Sequence, residues 1–406
     1  MEWPLVRLDS LYDIARGGSP RPIKDYITED SNGINWVKIG DATASGKFIY
    51  ETKQKIKPEG IQRSRLVNKG DFILSNSMSF GRPYIMGTSG CIHDGWLVLS
   101  AKDERIDQDF LYHMLGSPFV FNQFDALAAG STVRNLNINL VSCVEIPLLP
   151  IAEQKRIVAL LDTVFADLEQ TRAKTEQNLK NARELFDSYL QQIFSQKGEG
   201  WVETTLGSEI NLLTGFAFKS KEYVTHSDST PLIRGDNIVQ GKLRWDGVKR
   251  WSNDTVSDYE KYQLEADDIV IAMDRTWVKA GMKFSKITSE DLPALLVQRV
   301  ARLRALDSIN SDYLYHLVGS KLFENYVLSI QTGLGVPHIS GKQIQAFSFN
   351  KPDVEQQAIL VSTMNVLKNE VNSLEVIYQK KLAAIDELKK SILQKAFSGE
   401  LTSAAK

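Results

Sequence analysis

The chain contains very little cysteine, and it has no long apolar run. Cys91 and Cys143 are the only cysteines among 406 residues. Two widely spaced thiols make neither a zinc site nor a disulfide framework, so we expect a reducing, cytoplasmic environment and two small buried side chains. No apolar stretch is long enough to cross a membrane, and the first residues lack the basic and apolar regions of a signal peptide.

Sequence patterns of common catalytic and metal sites are also missing. The chain has no Gly-x-x-x-x-Gly-Lys-Ser/Thr motif for nucleotide phosphates, and Gly333 and Gly335 lack the third glycine of a dinucleotide fold. It has no Asn/Asp-Pro-Pro-aromatic tetrapeptide, with which an amino-methyltransferase holds its target amine. The five histidines lie far apart, without metal-ligand spacing. We therefore expect no catalytic residue, no metal and no cofactor in this chain.

Net charge is close to balanced, at −2. This value argues against a simple basic nucleic-acid binder, but a local excess of positive charge remains compatible with DNA binding. Residues 292–304 carry arginines without an acid. Residues 53–69 carry one acid, Glu59, and six basic residues: Lys53, Lys55, Lys57, Arg63, Arg65 and Lys69.

The most informative feature present is an internal repeat. Residues 109–117 read DFLYHMLGS, and residues 312–320 read DYLYHLVGS. The histidines of the two copies, His113 and His316, are 203 positions apart (316 − 113). Such a period is too long for a solenoid repeat and matches a domain followed by a long helix. We expect both histidines to have structural roles.

Each copy combines a mixed domain with a long helix. Short apolar runs predict strands at 71–74 and 96–99, and helical spacing predicts one helix over 107–124. We divide the chain into domains at 1–150 and 199–352, with long helices in 151–198 and 353–406. The predicted fold is α+β, with two repeated mixed α/β domains separated by a long antiparallel two-helix coiled coil. The alternative is two separate helices, each packed on its own domain.

Both long helices show apolar residues at alternating spacings of three and four, which is a heptad seam. The seam of the first helix has a polar middle, and it comprises Ile157, Leu161, Val164, Leu168, Thr171, Thr175, Asn178, Ala182, Leu185, Tyr189 and Gln192. The seam of the second helix comprises Met364, Leu367, Val371, Leu374, Tyr378, Lys381, Ile385, Leu388 and Ile392.

Loops rich in Gly, Ser and Asn carry Arg and Lys in both halves. Arginine forks suit guanine edges and phosphates, and amide or hydroxyl side chains reach other base edges. The candidates in the first domain are Arg16, Ser19, Arg21, Lys24, Asn76, Ser79, Arg82, Arg134, Asn135 and Asn137. Those in the second are Lys219, Arg234, Arg275, Thr276, Lys279, Arg299 and His338. Each loop taken alone could equally be a solvated turn.

The order of several short patterns, found twice, gives the chain a family resemblance. The patterns are Trp3…Leu8 and Trp201…Leu206, WVKIGD at 36–41 and IRGD at 233–236, KGDFIL at 69–74, and IPLLPIAEQ at 146–154. Over essentially its whole length the chain resembles a specificity subunit of a type I restriction–modification enzyme. The second copy departs from the pattern, because Glu355-Gln356 follows Pro352 without the Ile-Pro-Leu run and Asp267-Asp268 replaces Gly-Asp.

The resemblance implies two target-recognition domains, each reading one half of a split sequence in double-stranded DNA. It implies that the helices set the gap and dock two adenine methyltransferase subunits, which restriction subunits join. S-adenosylmethionine, ATP and magnesium would then belong to those partners. Two other classes stay open: an enzyme that acts on nucleic acid by itself, and a tandem-domain protein-binding scaffold without DNA contact.

Overall fold

The computed structural model describes residues 3–76, 80–128, 135–332 and 336–400. The chain forms two compact units, one made of Met1–Thr175 with Lys380–Lys406 and the other of Glu176–Gln379. Each unit contains one sheet-rich domain and a segment of both long helices. Among the described residues, no helix has the length and apolarity that a membrane crossing requires.

The first domain is built from two five-stranded sheets and a two-stranded ribbon, with strand orders β2-β11-β8-β9-β5, β3-β6-β4-β10-β7 and β1-β12. The strands are β1 Leu5–Arg7, β2 Tyr12–Arg16, β3 Ile27–Thr28, β4 Ile34–Val37, β5 Phe48–Ile49, β6 Lys55–Ile56, β7 Arg65–Val67, β8 Phe72–Ser75, β9 Pro83–Met86, β10 Gly90–Ile92, β11 Trp96–Ala101 and β12 Glu145–Pro147. The helices are α1 Ile39–Ala44, α2 Gln108–Leu115, α3 Pro118–Ala128, α4 Ile138–Ser142 and the long α5 Ile151–Ser195.

The strands predicted at 71–74 and 96–99 are confirmed as β8 and β11, which pair antiparallel and are almost fully buried. The single helix predicted over 107–124 is wrong. Two helices, α2 and α3, occupy this stretch because Gly116 ends the first and Pro118 begins the second.

The second domain repeats this plan with sheets β14-β22-β17-β20 and β16-β15-β21 and ribbons β13-β23 and β18-β19. Its strands are β13 Val202–Thr205, β14 Ile210–Thr214, β15 Thr230–Ile233, β16 Lys249–Trp251, β17 Ile269–Ala272, β18 Trp277–Val278, β19 Gly281–Met282, β20 Phe284–Lys286, β21 Leu295–Leu296, β22 Val300–Ala305 and β23 Ser348–Lys351. Its helices are α6 Leu206–Glu209, α7 Ser311–Val318, α8 Lys321–Ile330 and α9 Gly341–Gln345, and the long α10 Val354–Phe397 follows.

The two long helices run antiparallel within each unit. In the first unit, Lys389 of α10 lies 3.1 Å from Glu169 of α5, and Asp386 pairs with Arg172 one turn further along α5. Partner numbers thus fall along one helix as they rise along the other. The end of α10 also joins the first domain's core, where Phe397 packs edge-on against Phe110.

In the second unit, the end of α5 and the start of α10 share one domain core. Phe194 of α5 and Met364 of α10 are both buried there. Arg183 of α5 lies 3.0 Å from Glu375 of α10. The helices therefore pack on each other and on the domains, so the alternative of two separate helices is wrong.

The buried seam drifts away from the predicted heptad positions towards the end of each helix. Ala182 and Ile385 are buried, but Leu185 and Leu388 are about half exposed, at 52% and 48%. A straight α-helix has 3.6 residues per turn, so its contact stripe moves gradually off a strict seven-residue repeat. The sequence pattern located the helices correctly but misplaced part of their contact face.

A fully buried glutamine joins each long helix to its domain. Gln154 accepts a hydrogen bond from the Asp107 backbone amide at 2.7 Å and donates to two carbonyls. Gln357 makes the equivalent bond to the amide of Asn310 at 2.8 Å. The structural counterpart of Gln154 in the second copy is therefore Gln357, one position after the Glu355-Gln356 pair of the family pattern.

Other polar groups at these junctions are also paired. His113 lies 3.0 Å from Asp162, and His316 lies 3.0 Å from Asn365, at equivalent places in the two copies. These contacts confirm structural roles for both histidines.

Cys91 is buried as expected, whereas Cys143 is exposed, so the prediction of two buried thiols holds for one of them.

Candidate nucleic-acid interface

In the first domain, Asp94 holds four of the predicted residues together. Its carboxylate accepts a hydrogen bond from Ser19 at 2.7 Å and lies 3.4 Å from the Arg21 guanidinium. Its carbonyl accepts bonds from Arg16 and Asn76 at 3.1 and 2.9 Å. The hydrogen bond from Ser19 is the main reason why the pKa of Asp94 is lowered, so this group is a carboxylate at neutral pH.

Ser19, Arg21 and Asp94 line a cleft of about 1250 Å³, the first-domain cleft, which is formed by residues 19–24, 38–40 and 93–94 with Ile27, Trp36 and Gln54. Burial lowers the pKa of His93, and its Nδ1 accepts the backbone amide of Gly95 at 2.9 Å. The imidazole is therefore neutral near pH 7. Its lining combines apolar residues such as Ile23 and Trp36 with the exposed basic side chains of Arg21, Lys24 and Lys38.

The remaining candidates in the first domain do not share this arrangement. Exposed Arg82 places its guanidinium 5.2 Å from the ring centre of Tyr84. Asn137 caps α4 by accepting the amide of Leu140 at 3.0 Å, and Asn135 is exposed. Ser79 and Arg134 lie outside the described residues.

In the second domain, Asp274 has a comparable role. Its Oδ1 lies 2.6 Å from Nδ1 of His338 and 3.2 Å from the guanidinium of Arg299. The backbone supports this cluster, because the Arg275 amide donates to the carbonyl of Pro337 at 2.7 Å. Arg299 and His338, which lie 25 and 64 positions from Asp274 in the sequence, thus meet at an acid that was not among the predicted residues.

Arg234, Arg275 and Arg299 line a smaller cleft of about 360 Å³, the second-domain cleft. Its other walls are Tyr223, Gly235, Asp236, Asp274, Lys283, Val297, Gln298 and Val336. Lys283, also missed from sequence, is half-buried, and burial is the main cause of its lowered pKa. Four cations and two acids give this cleft a local positive charge despite the balanced charge of the chain.

The other second-domain candidates are placed differently. Thr276 is buried and donates to the Met273 carbonyl at 3.1 Å. Lys219 is exposed and lies 4.0 Å from Glu222. Exposed Lys279 lies in the turn between β18 and β19.

The basic run at 292–304 does not form a single surface. Arg302 is buried and donates to Asn211 at 2.7 Å, and Arg304 binds the fully buried Asp268 at 2.7 Å. Of the three arginines in this run, Arg299 alone lines the second-domain cleft. Arg302 and Arg304 lie within β22, where the partners named above hold them, whereas Arg299 precedes this strand.

The hairpin beside the cleft is longer in the second domain. Phe72 pairs with Ile85 in the first domain, and Ile269 pairs with Lys286 in the second. The chain advances 13 positions (85 − 72) in the first case and 17 (286 − 269) in the second. The extra length accommodates the β18–β19 ribbon, whose Trp277 donates to Glu324 at 3.1 Å. The two copies therefore share a framework but present different surfaces.

Two related domains with different polar clefts, joined to paired long helices, define a two-module recognition protein. The sequence model of the type I restriction modification DNA specificity domain matches this chain twice, over residues 1–179 and 198–382. The chain therefore belongs to the family of DNA specificity subunits of type I restriction–modification systems, which confirms the resemblance inferred from its repeated motifs.

Curated relatives carry the same description. The chain is 23% identical over 414 residues to the type I restriction enzyme MjaVIII specificity subunit of Methanocaldococcus jannaschii, covering 98% of this chain and 93% of that protein. It is 38% identical over 182 residues to the EcoAI specificity subunit of Escherichia coli, covering 44% of this chain and 30% of that protein.

Solved structures support the fold. A chain from a structure described as showing complex assembly and conformational transition of the type I R-M system matches with a TM-score of 0.77 at 21% identity, covering 98% of this chain and 97% of that one. The HsdS subunit from Thermoanaerobacter tengcongensis matches with a TM-score of 0.59, at the same identity and coverage. The predicted fold of two repeated α/β domains with a long antiparallel helix pair is thereby confirmed.

Proposed function

We propose that each domain of this chain reads one half of a bipartite sequence in double-stranded DNA. The observation that carries the proposal is that each domain has its own cleft, where basic side chains meet around an acid: Asp94 in the first and Asp274 in the second. Aimed arginine and amide groups suit base edges, while exposed lysines suit phosphates. The different outlines of the clefts support two different half-sites.

The long helices, in this proposal, set the gap between the half-sites. A helix of 45 residues such as α5 extends ~68 Å at 1.5 Å per residue. Two readers on one face of B-DNA need centres about 34–36 Å apart or a multiple of it, and a spacing of one turn fits this length best once the width of each domain is allowed for.

We further propose that the helices dock two adenine methyltransferase subunits, which restriction subunits then join. Apolar side chains exposed on α10 support this docking, among them Ile359 at 67%, Val366 at 57% and Ile377 at 56%. These residues recur at intervals of 7 (366 − 359) and 11 (377 − 366) positions, which places them on one face of the helix, and an exposed apolar face is typical of a surface that meets a protein partner. S-adenosylmethionine, ATP and magnesium, and with them the chemistry, would belong to the partners, and this chain would supply recognition alone.

Charge reversal in one cleft at a time tests the two-reader proposal. Arg21→Glu should weaken or alter recognition of one half-site, and Arg275→Glu should affect the other. The measurement is the methylated motif of genomic DNA in cells that express each variant with the methyltransferase subunits. Lys69→Glu is the charge-matched control, because this exposed residue lies beside a turn held by Gln108 rather than at a cleft.

Effects of both variants on the same half-site would contradict separate reading. An unchanged motif, together with duplex binding that does not weaken as salt is raised, would favour the protein-binding scaffold instead. S-adenosylmethionine turnover by the purified chain alone would contradict the assignment of catalysis to the partners.

Matched insertions test the spacing proposal. The intervals from Arg172 to Arg183 in α5 and from Glu375 to Asp386 in α10 are bounded by the same interhelical ion pairs. One heptad added within each interval lengthens both helices by ~10.5 Å, which corresponds to at most about three base pairs of gap. The half-sites should stay the same while the gap grows. An unaltered gap, or altered half-sites, would contradict the role of the helices as spacers.

A further inference from the structure

The second-domain cleft contains two arginines in an unfavourable backbone conformation. Among the described residues, Asp267, Arg275 and Arg299 are the non-glycine residues with positive φ, at 72°, 46° and 66°. Side chains of L-residues disfavour this region because Cβ crowds the backbone. Two of the three strained residues line one cleft, and such strain tends to accumulate where a side chain has a functional task.

The first domain has glycine where the second has Arg299. Leu97 of β11 pairs with Leu74, as Ala301 of β22 pairs with Ile271. Two positions earlier in each strand register lie Gly95 and Arg299, whose carbonyls accept the equivalent amide bonds from Asn76 and Met273. Gly95 does not have a positive φ, so the left-handed backbone conformation at this place belongs to the arginine of the second copy alone.

Neighbouring groups fix the orientation of the Arg299 side chain. Asp274 accepts its guanidinium at 3.2 Å and the His338 ring at 2.6 Å, so the acid is fixed from two sides. Arg299 nevertheless keeps 61% of its side chain exposed, which leaves part of its fork available to a ligand. A side chain that grips a phosphate as a point charge needs no such orientation, whereas one that reads a base edge does.

The cleft offers hydrogen-bond donors to a ligand, because its two acids are already engaged. Asp236 lies 3.3 Å from Arg234, and Asp274 is held by Arg299 and His338. Arg275 is exposed at the opening. In the major groove, guanine presents two acceptors, N7 and O6, whereas adenine and cytosine present an amino donor and thymine presents a methyl group.

We infer that Arg275 and Arg299 read a guanine in the half-site of the second domain, with Asp274 as the positioning residue of Arg299. The inference rests on the proposed DNA-reading function. It predicts that this half-site contains a guanine whose N7 contributes to binding. Loss of one bidentate arginine contact should reduce discrimination at that position by about five- to 150-fold.

The test uses the chain in complex with its methyltransferase subunits and a duplex that carries the motif mapped from genomic methylation. Fluorescence anisotropy measures the Kd for duplexes in which 7-deazaguanine replaces each guanine in turn, which removes N7 and leaves the phosphates unchanged. The wild-type complex should lose affinity at one position of the second half-site. Arg299→Gly should discriminate among the bases at that position about five- to 150-fold less well than the wild type, and Asp274→Asn should show a smaller loss of discrimination.

Glycine adopts a φ near 66° without strain, so Arg299→Gly should keep the fold. Asp267→Gly is the matched control, since it relieves the same kind of strain away from the cleft and should leave the base preference unchanged. Wild-type binding that is insensitive to every 7-deazaguanine substitution, or a half-site without guanine, would overturn the inference. So would an Arg299→Gly variant that weakens all sequences alike and lowers the salt dependence, since this result would assign a phosphate contact. Complete lack of sequence-specific binding by the wild type would instead refute the proposed function.

Discussion

Replacing Gln357 by methionine should destabilise the second unit, because this side chain joins α10 to the turn before α7. Its Oε1 accepts the Asn310 amide at 2.8 Å, and its Nε2 donates to the Pro352 carbonyl at 2.9 Å and more weakly to the Ser308 carbonyl at 3.4 Å. Methionine has a similar length but can replace none of these bonds. The glutamine is fully buried, so water cannot substitute for the lost partners.

The expected loss follows from these contacts. Each net hydrogen bond contributes about 1 kcal/mol, and a buried polar group left without a partner costs about 1–3 kcal/mol. The two short bonds and the longer one therefore predict a loss of ~3 kcal/mol in the free energy of unfolding. For a unit of this size, 1 kcal/mol corresponds to about 2–4 °C, so Tm should fall by ~6–12 °C.

The neighbouring glutamine provides a matched control. Gln356 is exposed, and its side chain forms no hydrogen bond among the described residues. Gln356→Met removes the same chemical group one position away and should shift Tm by less than about 2 °C. Calorimetry of both variants measures the difference. Equal shifts in Tm for the two variants would show that Gln357 does not hold the junction.

Three further outcomes follow from other buried contacts. Burial lowers the pKa of His113 and His316 below the ordinary value of 6.5, so the unfolded chain binds more protons than the folded chain. The stability that these residues contribute is therefore complete above pH 6.5 and is lost as the pH falls. The urea midpoint should be lower at pH 5.5 than at pH 8, and replacing both histidines by glutamine should reduce this difference. Glu209→Gln breaks a buried ion pair and should cost about 3–5 kcal/mol at pH 7 by urea unfolding, whereas an effect below 1 kcal/mol would contradict that pairing. Ala182→Gln should lower the Tm of the protein measurably, because Ala182 is buried, while Leu185→Gln should change the free energy of unfolding by less than about 0.5 kcal/mol, because Leu185 is half exposed. The reverse order would show that the contact face follows the strict heptad repeat.

The sequence alone was enough to predict the repeat, the two long helices and the family, because these depend on patterns spread over many residues. Boundaries between short elements were less predictable. The stretch 107–124 has continuous helical spacing, yet a turn at Gly116 divides it. The Glu355-Gln356 pair of the family pattern does not contain the glutamine that holds α10, because adjacent Gln356 and Gln357 look alike in sequence and their burial distinguishes them.

The candidate interface was predictable by residue type but not by arrangement. Loop composition indicated Ser19, Arg21 and Arg299, and these residues do line clefts, whereas Arg16 donates to the carbonyl of Asp94. The acids that organise them, Asp94 and Asp274, were missed because an isolated aspartate in a loop gives no sequence signal. Their partners come from segments tens of residues distant, so the grouping depends on the tertiary fold.

The strongest sequence repeat marks the framework rather than the recognition surface. The shared DxLYH pattern forms α2 and α7, where His113 packs against Phe165 of α5 and His316 packs against Phe186 of the same helix. Both copies need this junction for the same reason, namely to fix a domain on the long helices, and so the pattern is kept twice. The clefts have no such shared requirement. If the two domains read different half-sites, the functional residues lie where the copies differ, as Arg299 differs from Gly95. In a duplicated recognition protein, similarity between the copies therefore locates the scaffold, and divergence on equivalent strands locates the specificity.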